Sequence, residues 1–368
     1  MSKINQSLTT IALQKFKKNF WGVFSFGYIL LMIFLSIFAY ILAPDDSVNA
    51  NQMHLAIHSK PPGFSVQMLS IPLEQKKSKT IKSYFFGHQN QAAEIPILNY
   101  SIQNNQLNYV EYTEDESLQI TKEIPLTQFV GYASLQEVET ELISTKKFIL
   151  GTDKYGRDLL SRMLVGSRVS ISIGFVAVII SVVVGLFFGA LGGYYGGKVD
   201  AFVMWLVNVI WSIPTLLLVI AITLALGKGF WQVFVAVGLT MWVEVARVVR
   251  GQIISAKEMQ YVTAARALGF SNIRIIINHI LPNIMAPVIV ISAANFASAI
   301  LVESGLSFLG LGAQPPIPSW GGMIKDHYSY IILGKPYLAL IPGTAIMLIT
   351  LAFMMTGNAL RDALDVKN

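Results

Sequence analysis

Long stretches without charge constrain this chain more than any other sequence feature. A helix that crosses the hydrocarbon core of a bilayer needs about 20 consecutive apolar residues. Runs of that length without Asp, Glu, Lys, Arg or His occupy residues 20–43, 169–195, 201–227, 280–302 and 336–360. A further run, 229–246, is interrupted only by Glu244. We therefore predict six transmembrane helices.

The composition agrees with a membrane protein. Hydrophobic residues make up 54% of the chain and charged residues only 13%, with a mean hydropathy of +0.56, whereas a soluble domain carries about 25% charged residues. Because lipid offers no water to backbone groups, the apolar runs must be helical. The expected fold class is an all-α integral membrane protein with six transmembrane helices and a large extracytoplasmic insertion between helices 1 and 2.

Charge and cysteine content exclude several other classes. The net charge is +6, but the basic residues are scattered over loops and form no dense patch with aromatic residues, so nucleic-acid binding is not indicated. The chain has no cysteine, which excludes disulfides, thiolate metal sites and a cysteine nucleophile. The first apolar run is too long for a signal-peptide core and has no small-residue cleavage site after it, so we expect a retained span.

The distribution of basic residues predicts the orientation, because Lys and Arg accumulate in cytoplasmic loops. Those on one side are Lys3, Lys15, Lys17, Lys18, Lys198, Arg247, Arg250, Lys257, Arg266, Arg274, Arg361 and Lys367. The short loops on the other side hold only Lys228, Lys325 and Lys335. Both termini and segment 261–283 are therefore expected in the cytoplasm, and the long loop 44–168 outside.

The segment 46–150 differs from the rest of the chain. It is rich in Asn, Gln, Ser and Lys, has an acidic cluster around Glu114, and alternates apolar and polar residues over 107–113. Such alternation is typical of short strands. Two interpretations stay open: a small extracytoplasmic domain or lid, and a solvated, partly disordered insertion.

Glycine and proline mark two apolar runs. The glycines of the second run recur every four residues on one helix face, which lets another helix approach closely; they are Gly185, Gly189, Gly193 and Gly197. A glycine-rich helix end without a partner is the alternative. Pro214 interrupts the third run and should kink that helix, either as a gate hinge or as a packing bend.

Charged residues crowd the segment 151–168, just before the second run. They are Asp153, Arg157, Asp158, Arg162 and Arg168, interleaved with Leu159, Leu160, Met163 and Leu164. The pattern predicts an amphipathic helix lying at the outer interface. Because Ser161 has no nearby histidine, we expect Arg–Asp pairing that locks the mouth of a pore and no catalysis.

Two carboxylates lie at span ends. Intramembrane carboxylates are candidates for function. Glu244 precedes Arg247 by three residues, which favours an ion pair at the cytoplasmic end. Glu303 is followed by a Gly- and Pro-rich stretch, 304–322, typical of a broken or re-entrant segment. Glu303 then either faces a translocation path or reaches to the outer interface.

The segment 261–283 is a polar island between apolar runs. Ala264, Ala265 and Ala267 favour a helix, and Gly269 suits its C-terminal end. Ile273, Ile276, Ile277 and Ile280 recur at helical spacing, so a second helix should run along the membrane surface until Pro282 begins the fifth span. A face of small residues suits docking into a groove of another protein; a plain amphipathic connector is the alternative.

This segment resembles the cytoplasmic signature of permease subunits of binding-protein-dependent ABC transporters. Its Ala264, Ala265, Gly269, Leu281 and Pro282 match the family pattern, whereas Thr263 stands where the family has Glu. The segments 151–170 and 303–321 and the N-terminus are similar to the C-type subunit of the dipeptide/oligopeptide branch. The resemblance covers about residues 1–45 and 150–368.

The resemblance implies a type I importer permease with four parts: an N-terminus and first span (1–45), an insertion (46–150), an amphipathic segment (151–168) and a five-helix core (169–368) with a coupling loop at about 247–283. Thr263, Ala264, Ala265, Arg266, Gly269, Leu281 and Pro282 are the expected ATPase-coupling residues. Glu303, Pro214, Asp153, Arg157 and Asp158 are the expected path or gate residues.

The implied partners are a second homologous permease, two ATPases, an extracytoplasmic binding protein and the bilayer of the bacterial cytoplasmic (inner) membrane. The chain has no GxxxxGK[ST] phosphate loop, so ATP and Mg are expected on the partner ATPases and no cofactor on this chain. The function is then peptide import without catalysis by this subunit. A stand-alone secondary transporter or channel is the alternative, which predicts inverted repeats and mid-membrane charges.

Overall fold

The structure is a computed structural model that describes residues 8–72, 81–88, 92–103, 106–129, 131–227 and 229–364. Its α-helices, in chain order, are α1 (Leu8–Lys18), α2 (Phe20–Ile37), α3 (Ala39–Leu42), α4 (Ser83–Phe86), α5 (Leu135–Leu142), α6 (Leu159–Tyr195), α7 (Gly197–Trp211), α8 (Thr215–Leu226), α9 (Phe230–Lys257), α10 (Gln260–Ala267), α11 (Asn272–Ile275), α12 (Leu281–Phe308), α13 (Trp320–His327) and α14 (Tyr337–Leu364). Its strands are β1 (Phe64–Pro72), β2 (Ala92–Gln103), β3 (Gln106–Glu111), β4 (Thr121–Pro125) and β5 (Ile143–Phe148).

The described residues contain five helices that are long and apolar enough to cross a membrane: Phe20–Ile37, Leu159–Tyr195, Trp231–Lys257, Asn272–Phe308 and Tyr337–Leu364. The predicted third span is different. It consists of α7 and α8, which are bent by 92° at the break between them. Pro214 sits just before α8 and has no N–H to continue the helix. The expected kink is therefore a break, and six spans result only if this pair counts as one.

The predicted helix at 151–168 does not exist as a separate element. Residues 151–158 are non-helical, and helix α6 starts at Leu159 and continues without interruption to Tyr195. The amphipathic pattern over 159–168 is thus the first part of a helix of 37 residues. Polar residues at one end of a long helix produce the same amphipathic sequence pattern as a separate helix at the membrane surface.

The described chain falls into two compact units. One contains the described residues of Met1–Ile33, Val169–Gln314 and Thr344–Asn368, and the other those of Phe34–Arg168 and Pro315–Gly343. The first unit holds most of the apolar helices, and the second holds the sheet.

The predicted glycine face packs α6 against α9 within the first unit. A Cβ on Gly185 would lie 2.5 Å from Val245 Cβ, and one on Gly189 would lie 2.7 Å from the carbonyl oxygen of Ala246. At Gly193 the carbonyl oxygen of Arg250 would be 2.9 Å away. These positions exclude any side chain, so the partner of the ridge is helix α9 of the same chain.

Gly197 is not part of this ridge, which corrects the prediction. Helix α6 ends at Tyr195, and Gly197 has a positive φ of 52° at the start of α7. A Cβ there would meet nothing within 4 Å. Gly197 therefore belongs to the turn between two helices and has no role in their close approach.

The second unit contains a five-stranded antiparallel sheet in the order β4-β3-β2-β1-β5. The all-α description is therefore wrong for the segment 64–148, and so is the alternative of a disordered insertion for its described residues. Alternation over 107–113 does correspond to a strand, β3. Side chains of β1 are buried on both faces: Met68 joins Ile57 and Phe148 on one side, and Leu69 joins Leu107 and Val138 on the other.

Candidate functional site

The polar segment between α9 and α12 begins where α9 ends at Lys257. Met259 is extended, with φ −76° and ψ 146°, and α10 starts at the next residue. A short helix of 8 residues follows. The predicted helix is confirmed.

Gly269 ends α10 in the manner that the sequence predicts. Its φ is +75°, a left-handed conformation that glycine adopts without steric cost. The amide of Gly269 donates to the carbonyl of Arg266 at 2.9 Å, and the amide of Phe270 donates to that of Ala265 at 3.2 Å. This is the Schellman arrangement, which satisfies carbonyls that the helix leaves open at its end.

The inner face of α10 consists of Val262 and Ala265, which are both buried. They pack in one apolar cluster with Val249 and Ile253 of α9 and with residues of α6, α11 and α12. Ala265 therefore belongs to the core. It contributes nothing to an exposed docking surface, contrary to the prediction that grouped it with Ala264.

The outer face of α10 is formed by small residues and one large apolar side chain. Thr263, Ala264 and Ala267 are exposed, and the side chain of Leu268 is 72% exposed. A Cβ at Gly269 would meet nothing within 4 Å, so the end of the helix is open as well. The sequence analysis did not identify Leu268 as part of this surface. The available signal was a leucine directly before Gly269, the glycine that ends the helix, within an otherwise polar segment.

Arginine and aromatic side chains fix the turn after α10. The Arg274 guanidinium lies 4.2 Å from the centre of the Phe270 ring, and that ring stacks on His279 at 5.5 Å with an interplanar angle of 4°. Tyr194 of α6 donates from its hydroxyl to Asn272 Oδ1 at 2.9 Å. The Arg266 guanidinium lies 5.7 Å from the same Tyr194 ring. Such cation–π and hydrogen-bond contacts hold the segment against α6.

Leu281 and Pro282 do not separate a surface helix from a span. Residues from Asn272 to Phe308 form one continuous helical stretch, with a π-helical section at Ile276–Ile280. Pro282 has no N–H to donate to the preceding turn, and it lies two residues after the π-helical section. The predicted interfacial helix is therefore the first part of the span, with Ile275 and Ile280 buried and Ile273 and Ile277 exposed.

Glu303 lies inside α12, five residues before the helix ends at Phe308. Its side chain is fully buried, with 0% exposure, and Ser307 Oγ donates to its Oε1 at 2.6 Å. The carboxylate of Glu303 therefore does not reach the surface of this structure, and its place on a translocation path stays a prediction. The non-helical stretch predicted after it is present at residues 309–319.

A cavity of about 180 Å³ lies beside the break at Pro214. Trp211, Thr215 and Glu244 are among the residues that line it.

Arg247 does not pair with Glu244 within the described part of the chain. Its guanidinium donates to Asn208 Oδ1 at 2.9 Å and lies 3.7 Å from the centre of the Trp211 ring, because α7 brings these groups to α9. A bidentate pair between Asp200 and Arg250, with Nη2–Oδ2 at 2.6 Å, also joins these helices and was not predicted.

The predicted Arg–Asp pairing is present in the second unit. Asp153 is fully buried and lies 2.6 Å from Arg157 Nη2 and 3.6 Å from Arg162 Nε. Arg157 also donates to Asn51 Oδ1 at 2.9 Å. The chain segment that follows the first span thus contributes a hydrogen-bond acceptor to Arg157.

Asp158 belongs to a second part of this buried network. Ser161 donates to its Oδ2 from the backbone amide at 2.8 Å, and the amide of Asp45 donates to Ser161 Oγ at the same distance. Burial raises the pKa of Asp158, although the hydrogen bonds from Ser161 oppose that change. The network holds residues 45–51 against residues 151–162. Its contacts therefore have a structural role.

Sequence comparison decides the family. Residues 169–367, more than half of the chain, match the family described as the inner membrane component of binding-protein-dependent transport systems. This chain belongs to that family. Residues 7–62 match the N-terminal transmembrane domain of oligopeptide transport permease C. The predicted membership of the dipeptide/oligopeptide branch of ABC permeases is confirmed, and with it a multi-pass protein of the bacterial inner membrane.

Curated relatives come from the same branch. The dipeptide transport system permease protein DppC of Alkalihalophilus pseudofirmus is 42% identical over 217 residues, which is 59% of this chain and 71% of the relative. The glutathione transport system permease protein GsiD of Pectobacterium atrosepticum is 39% identical over 59% of this chain and 72% of its own length. The oligopeptide transport system permease protein OppC of Bacillus subtilis is 34% identical over 66% and 79%.

Solved structures of ABC transporters give weaker matches. The inward-facing methionine transporter MetNI matches 55% of this chain and 96% of its own chain, at 18% identity and a TM-score of 0.45. An amino acid ABC transporter with histidines matches over 55% of this chain and 93% of its own chain, at 17% identity and a TM-score of 0.40. The family assignment therefore rests on the sequence matches.

Proposed function

We propose that this chain forms, together with a second homologous permease, the path by which an ATP-driven importer carries peptides across the bacterial inner membrane. The relatives whose names specify dipeptides, oligopeptides or glutathione support a peptide substrate. Two ATPases on the cytoplasmic side and a binding protein on the opposite side complete the assembly. Both termini and segment 261–283 lie in the cytoplasm.

The ATPases act on the outer face of α10. Exposed Thr263, Ala264, Ala267 and Leu268 form a small surface with one apolar projection. Small side chains allow the backbone of α10 to approach a partner closely, and Leu268 adds about 2 kcal/mol if it becomes fully buried there. Arg266, also exposed, provides a positive charge beside this surface.

The observation that carries the proposal is the cluster on the inner face of α10. Val262 and Ala265 belong to the same packed core as Ala190 of α6, Val249 of α9 and Ile284 of α12. Packed interiors are not continuously deformable, so a displacement of α10 must move the ends of these spans with it. Nucleotide-driven closure of the ATPases thereby selects between outward- and inward-facing arrangements.

The cavity beside Pro214 is the proposed part of the translocation path in this subunit. Its lining combines apolar Trp211 and Met241 with Thr215 and the carboxylate of Glu244. A mixed lining of this kind accommodates backbone amides and varied side chains, which suits a permissive peptide path. Selection between peptides then rests mainly with the binding protein.

Reconstitution tests the proposed function directly. The chain is placed in proteoliposomes with its second permease, the ATPases and the binding protein. Peptide uptake that requires ATP and stops when this chain is omitted is the expected result. Uptake of peptide by the chain alone, driven by an ion gradient, would establish the alternative of a secondary transporter.

A further inference from the structure

The segment 81–88 of the second unit exposes a cluster of apolar side chains. Ile81 is 79% exposed and Phe86 63% exposed, and Tyr84 and Phe85 are exposed beside them. Lys82 is exposed as well. Exposed clusters of aromatic and aliphatic side chains mark sites of interaction with another protein or with a membrane.

One end of this segment is fixed to the chain that follows the first apolar run. The amide of His88 donates to the carbonyl of Asp46 at 2.8 Å, and the amide of Val48 donates to the carbonyl of His88 at 3.1 Å. A Cβ on Gly87 would lie 2.8 Å from Tyr40 Cε1, so glycine permits direct contact with that ring. Tyr40 lies three residues before the end of the run 20–43.

The other attachment comes from the start of the second apolar run. Arg168 Nη1 donates to the carbonyl oxygen of Phe85, and the Arg168 guanidinium lies 5.1 Å from the centre of the Tyr40 ring. Arg168 is the last charged residue before the uncharged run 169–195. Helix α4 is thus tied to the outer ends of two apolar runs.

These attachments set the depth of the segment. The end of a charge-free run marks the level at which a chain leaves the hydrocarbon core, and aromatic side chains concentrate at that level. A segment hydrogen-bonded to residues at two such ends lies at the same level. Its exposed apolar side chains then face the boundary between headgroups and acyl chains.

We propose that segment 81–88 is a membrane anchor of the sheet-containing unit. Ile81, Tyr84, Phe85 and Phe86 insert into the outer interface of the bilayer, and Lys82 binds the phosphate of anionic phospholipids. Amphipathic segments bind membranes through this combination of apolar burial and attraction to anionic lipid. In the sequence, Lys76, Lys77 and Lys79 precede the segment and add to its positive charge; they lie outside the described residues.

The anchor explains how the sheet, which lies in the chain between two apolar runs, is kept at a fixed position relative to the bilayer. Helix α4 lies in the chain between β1 and β2 of the sheet, so insertion of α4 restricts rotation of the unit at the membrane surface. Binding of this segment to the bilayer does not depend on which solute the protein transports.

Spin labelling tests the anchor, because the chain has no cysteine and single-cysteine variants therefore carry one label. The variants Ile81→Cys and Phe86→Cys are compared with Leu118→Cys and Ile120→Cys. The control side chains are similarly exposed, at 63% and 67%. They precede β4, which lies at the opposite edge of the sheet from β5. Four spacings of about 4.8 Å separate these two strands, so they lie about 19 Å apart.

The labelled full-length chain, assembled with its partner subunits, is placed in nanodiscs of phosphatidylethanolamine and phosphatidylglycerol. Accessibility to oxygen, which concentrates in lipid, is measured against accessibility to a water-soluble nickel complex. We expect the oxygen-to-nickel ratio to be several-fold higher at positions 81 and 86 than at 118 and 120. In nanodiscs of phosphatidylcholine alone, the ratio at 81 and 86 should fall.

Other outcomes overturn the proposal. Equal nickel accessibility at all four positions would show that the segment lies in water. Shielding of positions 81 and 86 from both reagents would show that a protein partner covers them. An unchanged ratio in phosphatidylcholine would remove the role of anionic lipid. Circular dichroism of each labelled variant verifies that the fold is intact.

Discussion

The amide of Gly269 donates to the carbonyl oxygen of Arg266 at 2.9 Å while the φ of Gly269 is +75°. This pair ends α10 beside exposed Leu268 and turns the chain back towards the membrane-spanning helix that follows. The geometry separates two functions of the segment. The buried inner face suits the proposed transmission of movement, and the exposed outer face suits the proposed docking of the ATPases.

Leu268 should contribute to association with the ATPases through its exposed side chain. Leu268→Asp removes the apolar contact and places a charge there, so we expect at least about a tenfold loss of affinity, equivalent to about 1.4 kcal/mol. Thr263→Glu is the matched variant, since Thr263 is exposed on the same helix and the family has Glu at that position. It should retain association. Equal loss in both variants, measured by co-purification with the ATPases, would argue against a contact made by Leu268.

Close packing of α6 on α9 predicts that Gly189 does not tolerate alanine. The new Cβ would lie 2.7 Å from the carbonyl oxygen of Ala246, and backbone cannot move aside cheaply. Gly189→Ala should lower the free energy of unfolding by about 1–3 kcal/mol. Gly27→Ala is the control, because a Cβ there meets nothing within 4 Å and alanine favours helix. Thermal unfolding in detergent compares the two, and similar melting temperatures would contradict the packing.

The buried pair between Asp153 and Arg157 should be more important than an exposed pair of similar length. Asp153→Asn leaves two buried guanidinium groups without their carboxylate, which should cost about 3–5 kcal/mol. Glu111→Gln removes the pair between Glu111 and Lys122, whose N–O distance is also 2.6 Å but whose side chains are 43% and 48% exposed. That change should cost less than about 1 kcal/mol. Chemical denaturation of both variants measures the difference, and equal costs would refute a structural role for the buried network.

Glu94 should make the sheet-containing unit sensitive to acid. Burial alone would raise its pKa, but hydrogen bonds from His54 and Lys146 outweigh burial and lower the pKa from 4.5 to about 2. A carboxylate with a depressed pKa stabilises the fold above its unfolded value of 4.5, and this stabilisation is lost as the pH falls towards 2. The loss is on the order of 2–3 kcal/mol.

Denaturation of the protein at pH 7 and pH 3 measures this effect. The wild type should lose more stability between these values than Glu94→Gln, which has no carboxylate to protonate. The same loss in both proteins would show that other groups account for the acid sensitivity.

The apolar runs predicted most of the helices because a bilayer-spanning helix leaves an unambiguous pattern of twenty or so uncharged residues. The same pattern did not reveal that α7 and α8 are bent by 92°, since Pro214 indicates a disturbance but not its size. The sequence also predicts separate surface helices before the second and fifth spans, where the structure has continuous helices. A polar end of a long helix and a separate surface helix have the same composition.

The sequence predicts those features of the candidate site that depend on local backbone geometry. Gly269 ends a helix for reasons that the sequence contains, and the small residues around it matched a family pattern. The assignment of Ala265 to the core and of Leu268 to the surface required the packing against α9 and α12. Long-range pairs such as Asp200 with Arg250 depend on the tertiary arrangement, which a single sequence does not specify.

Coupled transport by variants of Gly269 in the reconstituted complex tests whether the ATPases act through α10. Gly269→Trp places a large side chain on the proposed docking surface, whereas Gly269→Asn adds a small one that tolerates the left-handed conformation. Gly251→Trp controls for bulk, because Gly251 is exposed on α9 and a Cβ there meets nothing within 4 Å.

We predict that all three variants insert into the membrane. Gly269→Trp should lose peptide-stimulated ATP hydrolysis and uptake, while Gly269→Asn and Gly251→Trp retain most of both. Normal coupled transport by Gly269→Trp would contradict the proposal that the ATPases act through α10.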